Sequence, residues 1–188
     1  MELTNKGRCD LEPLSLSRIV DNPLLSVSMR DSDVHHCMRG IKQYGLLNPL
    51  VLCRSEEGHY RVVAGSCELE ALRKMKIKQT DAVVVGGLSA TEMYHLSLHL
   101  LSLRTSKDSL AEAFLVQRLL QDSKLSQADV ALMVGHSVSW VSKRALLAER
   151  LAPSVQSMVM EKLLPARTAQ EIAKLPPQAQ HSFAVRVW

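Results

Sequence analysis

No stretch of this chain approaches the ~18 consecutive apolar residues that a membrane-spanning helix requires, and residues 1–10 are too polar for a secretory leader. A cytoplasmic protein is therefore expected. The four cysteines, Cys9, Cys37, Cys53 and Cys67, stand singly with no CxxC pair, which argues against a zinc site or a disulfide framework. His35-His36-Cys37 looks like a ligand cluster, but adjacent helical residues point in different directions. Nor is there a clustered Asp/Glu/His set of the kind that metal-assisted phosphodiester cleavage needs; Asp31 and Asp33 read as helix caps. No metal and no catalytic residue is expected. Internal repeats and low-complexity segments are also missing. Finally, the first half lacks a charge of one sign: residues 1–103 carry 12 Lys/Arg and 12 Asp/Glu, so the formal +4 of the 188-residue chain resides entirely in residues 104–188.

What is present is an ordinary globular composition, 46% hydrophobic and 22% charged, in a chain long enough for two small domains. Val34, Cys37, Met38 and Ile41 share one face of a helix that Ser32 is suited to cap and Gly45 to end. Pro49–Arg54 and His59–Val63 read as strands joined by the hairpin Ser55-Glu56-Glu57-Gly58. Ser66 can cap a helix running to about Lys76, and Asp81–Val85 gives another strand. Residues 1–12 are polar and unpatterned: a partner-binding peptide or a frayed end. The first half is thus mixed α and β.

From Ser89 the pattern turns helical. Ser89 and Glu92 fit a capping box, and Met93, Leu96, Leu100 and Leu103 continue at helical spacing; alternation over Leu96, Leu98 and Leu100 leaves a strand as the minor alternative. A helix over 107–121 follows, with Leu110, Phe114, Leu115 and Leu119 as core candidates. Shorter helices are expected near 126–133, 137–148, 154–162 and 166–174, punctuated by Pro153, Pro165 and Pro176-Pro177. We place the domain boundary between 104 and 105, giving an N-terminal domain over 1–104 and an all-helical domain over 105–188.

The strongest local signal is Ser126 to Arg144. Ala131 is small where two helices cross closely, and Gly135, four residues on, suits a tight turn with positive φ. Val130, Val134, Val138 and Val141 supply the buried side, and Ser137 can cap the second helix. This helix-turn-helix pattern leaves Ser137, Ser139, Trp140, Lys143 and Arg144 on or near the outer face of the helix that enters a DNA major groove in such motifs. Trp140 packs against sugar and backbone or completes the core. A plain helical hairpin used only for packing is the bland alternative.

The order of motifs resembles the ParB-type chromosome and plasmid partition proteins. Gly45-Leu46-Leu47-Asn48-Pro49-Leu50-Val51-Leu52 resembles their GxxxPLxV box, and His59–Gly65 the strand leading into their GERR box. Val141-Ser142-Lys143-Arg144 stands where the family carries a VS-N-R segment, and Leu164-Pro165-Ala166-Arg167 resembles its GHAR segment. The likeness runs in unbroken order over about residues 11–175. It implies an α+β ParB/sulfiredoxin-like domain followed by an all-α helix-turn-helix DNA-binding domain. It further implies a double-stranded DNA partner, with an inverted-repeat site read by a homodimer, a ParA-type ATPase partner, and a location on nucleoid or plasmid. Gln127, Ser137, Ser139, Trp140, Lys143, Arg144 and Arg167 are the DNA-contact candidates. Many members carry a further C-terminal dimerisation domain, so a longer protein is expected unless dimers form otherwise.

Family members also bind CTP, which implies nucleotide candidates at Gly45, Gly65, Ser66, Cys67 and Arg104. Here the GERR position reads Gly65-Ser66-Cys67-Glu68-Leu69-Glu70, without arginine and with two carboxylates. These suit a free helix N-terminus but repel a triphosphate. The ENxQR register falls on Leu100–Arg104, keeping only Arg104, and Leu24-Leu25-Ser26-Val27 replaces a QPR-like segment. DNA binding without CTP chemistry of the usual kind is therefore expected. Arg73, Lys74 and Lys76 are the substitute phosphate ligands should CTP bind. Sulfiredoxins place a reactive cysteine near Cys67, but neighbouring carboxylates raise a thiol's pKa. A third reading, an interaction adaptor on a degraded pocket, stays open.

Overall fold

In the computed structural model the described residues are 9–27, 29–55, 58–103 and 108–187. Packing divides the chain into two units, Met1–Leu96 and Ser97–Trp188. The boundary expected at residues 104 and 105, Arg104 itself and the Glu56-Glu57 tip of the hairpin lie outside the described residues.

The first unit is a five-stranded sheet in the order β1-β5-β3-β4-β2. The strands are β1 (Cys9–Ser15), β2 (Ile19–Val20), β3 (Leu50–Arg54), β4 (Tyr60–Ala64) and β5 (Gln79–Val85). β3 and β4 form the expected antiparallel hairpin, with Leu52 opposite Val62, and β5 runs parallel to β3 with Leu52 opposite Val84. Residues Leu50, Leu52, Val62, Ala82 and Val84 all fall on one face, the period-2 consequence of the strand pleat. With Leu14, Leu16, Ile19, Tyr60, Leu69 and Leu72 they make the core, each large side chain contributing about 1.5–3 kcal/mol by leaving water.

The edges depart from expectation. Cys9–Glu12 is no frayed end: it belongs to β1, which pairs antiparallel with β5 from Cys9–Val85 to Ser15–Gln79. β1 is exposed along most of its length, with only Leu14 buried, so it gives no alternation to read, and Pro13 is tolerated there because an edge leaves some N–H groups unpaired. β2, two residues paired parallel to β4, is too short for any sequence pattern.

Helices α1 (Pro23–Ser26), α2 (Asp31–Tyr44) and α3 (Ser66–Lys74) accompany the sheet. α2 starts earlier than expected: Arg30, not Ser32, is its cap, and the Asp33 carboxylate accepts from the Arg30 N–H at 3.4 Å and guanidinium at 2.7 Å. Gly45 ends it as expected, at φ 76°. α4 (Ala90–Ser102) opens on the Ser89–Glu92 capping box, with Ser89 N–H donating to Glu92 Oε2 at 2.9 Å. It is a helix throughout, and the division between the units falls inside it; its buried residues are Met93, Ser97, Leu98 and Leu101, while Leu103 beyond its end is exposed.

The second unit is all helical: α5 (Ser109–Gln121), α6 (Gln127–Val134), α7 (Val138–Arg150), α8 (Pro153–Met160), α9 (Ala166–Ile172) and α10 (Pro177–Val187). α5 is its axis, with Leu110, Ala111, Ala113, Leu115, Val116 and Leu119 fully buried. Val130 and Ala131 from α6, Val141, Ala145 and Leu147 from α7, and Val155, Ala169, Ile172 and Ala184 from the later helices complete this core. Pro177 does not merely punctuate; it opens α10, where a missing N–H costs nothing. Gln180 on α10 is fully buried and ties three chain segments together: its amide donates to the Arg150 and Leu175 carbonyls, and its Oε1 accepts from the Ala152 N–H at 2.7 Å.

Candidate nucleic-acid interface and the start of α3

The helix-turn-helix forms as its residues dictate. Ser126 and Asp129 close a reciprocal capping box at the start of α6: Asp129 N–H donates to Ser126 Oγ at 3.1 Å, and Ser126 N–H to Asp129 Oδ2 at 3.0 Å. The Ser126 hydroxyl, donating to Asp129 Oδ2 at 2.6 Å, and then the Ser126 N–H hold the Asp129 carboxyl below the ordinary carboxylate range. Gly135 takes the left-handed conformation, φ 68°, that turns the chain into α7. Ser137 caps α7, its Oγ accepting from the Trp140 N–H at 3.1 Å. Val130 and Val141 are buried as expected, but Val138 is about half exposed, because the first turn of α7 projects beyond the core.

Of the predicted contact residues, Gln127, Ser137, Ser139, Lys143 and Arg167 are exposed. Gln127 opens α6; Ser137 and Ser139 flank the start of α7, and Lys143 lies one turn further on. Arg167 stands in the first turn of α9. Lys174, bonded to Glu171 at 2.6 Å, is the main cause of that carboxyl's lowered pKa, with Arg167 and Lys143 adding to it.

Arg144 is a correction. Its side chain is not on the outer face but buried, and its Nε donates to Glu112 Oε2 on α5 at 2.7 Å. Sequence inspection missed Glu112, which sits among the apolar positions of α5; an acidic residue on that stripe was the signal that a buried cation must face it. Trp140 is half-buried. Its ring stacks on His136 with centroids 4.0 Å apart and planes 12° from parallel, and the Arg144 guanidinium lies 5.0 Å from its centroid.

Four of the nucleotide candidates, Gly45, Gly65, Ser66 and Cys67, lie in the first unit, and Arg104 lies outside the described residues. Gly65, not Ser66, is the N-cap of α3, with φ 99°. A Cβ there would stand 2.8 Å from Leu50 Cδ2, so any other residue would have to push that side chain aside as well as adopt the positive φ that favours glycine. The Ser66 hydroxyl is buried without a hydrogen-bond partner. Glu68 brings its carboxylate back toward Gly65, Oε2 lying 3.8 Å from that Cβ position. The start of α3 thus carries an anion of its own where a phosphate would need a donor. The cations weighed as substitutes are engaged: Arg73 bonds Asp21 at 2.7 Å and the Ile19 carbonyl at 2.9 Å, and Lys74 bonds Asp31 at 2.7 Å. Lys76 lies past the helix end at φ 59°. Gly45, at the end of α2, carries no side chain to the set.

Cys67 Sγ lies 3.2 Å from Cys37 Sγ, both half-buried. Burial first, then Cys37 and the charges of Glu68 and Asp33, push the Cys67 thiol far above its ordinary value, the reverse of an activated nucleophile. His35 and His36 are exposed beside Cys37. Among the described residues no group of three or more His, Cys, Asp or Glu could hold a metal ion, and no helix is long and apolar enough to cross a membrane.

This architecture has known counterparts. The family model of the ParB N-terminal domain matches residues 4–99, and that of the ParB HTH domain matches residues 106–188. The chain belongs to the ParB family. Its curated relatives include a nucleoid occlusion protein from Lysinibacillus sphaericus, 25% identical over 166 residues and 88% of this chain. Another, from Listeria monocytogenes, is 23% identical over 180 residues and 95% of this chain. The chain spans 55% of the length of the first and 63% of the second. Among solved structures, a pNOB8-like ParB-N domain aligns with a TM-score of 0.59 at 13% identity, covering 97% of this chain and 85% of that one. C-terminally truncated ParB from Caulobacter crescentus, complexed to the centromeric parS site, aligns with a TM-score of 0.50 at 20% identity, covering 93% of this ParB-family chain and 99% of that one. Both likenesses are of fold.

Proposed function

We propose that this chain is a site-specific double-stranded DNA-binding protein of the ParB type, serving partition of a chromosome or plasmid or regulating transcription. The observation that carries the reading is the exposed start of α7 on a helix-turn-helix, which presents Ser137, Ser139 and Lys143, with Arg167 exposed in the first turn of α9. Hydroxyls and the lysine can meet base edges and phosphates in the major groove, and Arg167 adds a second backbone contact. Two-fold pairing of the chain would favour an inverted-repeat site, and a ParA-type ATPase is the partner that the partition reading implies. The protein then works on the nucleoid or on a plasmid in the cytoplasm.

For nucleotide, the reading is that the start of α3 does not cradle a triphosphate in the usual way. Glu68 supports it, as do the Arg73–Asp21 and Lys74–Asp31 pairs. Titration of CTP by calorimetry, with and without bound DNA, is expected to give no heat. Micromolar binding would instead favour a CTP-dependent partition clamp with altered phosphate ligands.

The DNA reading is tested by selecting duplexes from a random pool at near-physiological salt and measuring affinity against salt on the winner. A discrete motif is expected, with Lys143→Ala and Arg167→Ala each lowering the slope of log K on log salt by about 0.9. No motif, with weak binding that salt abolishes, would move an interaction adaptor to the front.

A further inference from the structure

The helix-turn-helix contains a connected set that neither its motif nor its charge explains. Glu112 is buried on α5, Arg144 is buried on α7 and bonded to it, and the same guanidinium lies 5.0 Å from the Trp140 ring centroid. Trp140 in turn stacks on His136, an exposed residue in the turn whose N–H donates to the Ala131 carbonyl at 3.0 Å. Four side chains from α5, the turn and α7 thus run in series from the core to the surface.

A buried Arg–Glu pair is a poor source of stability, because desolvating both ions costs about as much as their attraction returns. Its direction is what matters. The guanidinium is planar and its donors are fixed, so a carboxylate on one side sets the plane it offers to a ring on the other. An indole held by a cation and by an imidazole loses most of its rotamer freedom, and a rigid aromatic surface discriminates between partners better than a mobile one.

We propose that Arg144 is a positioning residue: held by Glu112, it fixes Trp140 against His136, and this stacked pair is the specificity-determining surface that α7 presents to DNA. The assignment rests on the DNA-binding reading. Arg144 itself touches no phosphate, so it adds nothing to the salt dependence, whereas Lys143 does. The Trp140–His136 pair adds to discrimination between sites.

The test uses the full chain carrying Trp188→Phe, which leaves Trp140 as the only tryptophan of the two in the sequence. Three proteins are compared on the selected duplex and on an unrelated one: the parent, His136→Ala, and the double substitution Glu112→Leu/Arg144→Met, which replaces the ion pair by apolar volume. Both variants are expected to shift Trp140 emission without DNA, to keep the parental salt slope, and to lower the specific-to-nonspecific affinity ratio about tenfold. A slope lowered by about 0.9 in the double variant would place Arg144 on a phosphate and overturn the proposal. So would an unchanged ratio in His136→Ala, an exposed substitution that spares the core whether or not the double variant folds. If the parent selects no motif, the DNA-binding reading has failed, while an unshifted Trp140 emission in His136→Ala still separately overturns the stack.

Discussion

The starts of α3 and α7 are both positive ends of helix dipoles, yet they are furnished in opposite ways. α3 begins at Gly65 with φ 99°, pressed against Leu50, with the Glu68 carboxylate turned back on it and the nearby Arg73 and Lys74 paired to Asp21 and Asp31. α7 begins at Ser137, with Ser139 and Lys143 exposed and Glu112 buried against Arg144. Backbone geometry offers N–H groups at both ends. What differs is where the surrounding charge sits: carboxylates at the mouth of α3, cations around α7. The helical terminus is flanked by a carboxylate in one unit and by exposed hydroxyls and a lysine in the other.

The largest effect expected from breaking that arrangement is on stability. Glu112→Ala strands the Arg144 guanidinium in the core and should cost about 3–5 kcal/mol in urea unfolding. A loss below 1 kcal/mol would mean the pair behaves like a surface bridge such as Arg54–Glu12.

Next come the two glycines. Gly65→Ala combines backbone strain of about 1–3 kcal/mol with the clash on Leu50, whereas Gly135→Ala meets nothing within 4 Å and should cost only the strain. Equal losses at the two sites would show that the close approach of α3 to β3 is not real packing.

The smallest expected effect is chemical. Were the start of α3 electropositive, it would activate Cys67; with burial, Cys37 and Glu68 pushing that thiol up, it stays protonated through neutral pH. Iodoacetamide at pH 8, followed by peptide mapping, should label exposed Cys9 well before Cys67. Faster labelling of Cys67 would reverse the contrast between the two helix starts.

Much of this was readable along the chain because it depends on neighbours in sequence. Ser126 and Asp129 sit three apart and make their box; Gly135 and Ser137 place the turn and the cap; the hairpin of β3 and β4 follows from alternation. Glu68 and Glu70 announced an acidic start to α3. The misreadings share a different cause. Lys76 and Lys162 adopt positive φ just past helix ends, where Gly or Asn is the usual signal, so the expected ends of α3 and α8 overshoot by two residues, whereas α5 ends at Gln121 as expected. The edge strand β1 has no alternation because it is exposed along most of its length, with only Leu14 buried.

Helix-turn-helix, α+β start and all-helical remainder were therefore set by local sequence, since caps, turns and periodicity act over a few residues. The fate of Arg144 was not. By spacing it belongs with Lys143 on an outer face; only the folding of α5 against α7 brings Glu112, 32 positions earlier, to within 2.7 Å and draws the guanidinium inward. Charges interact through space and not along the chain, so whether a cation faces a phosphate or a buried carboxylate is decided by packing.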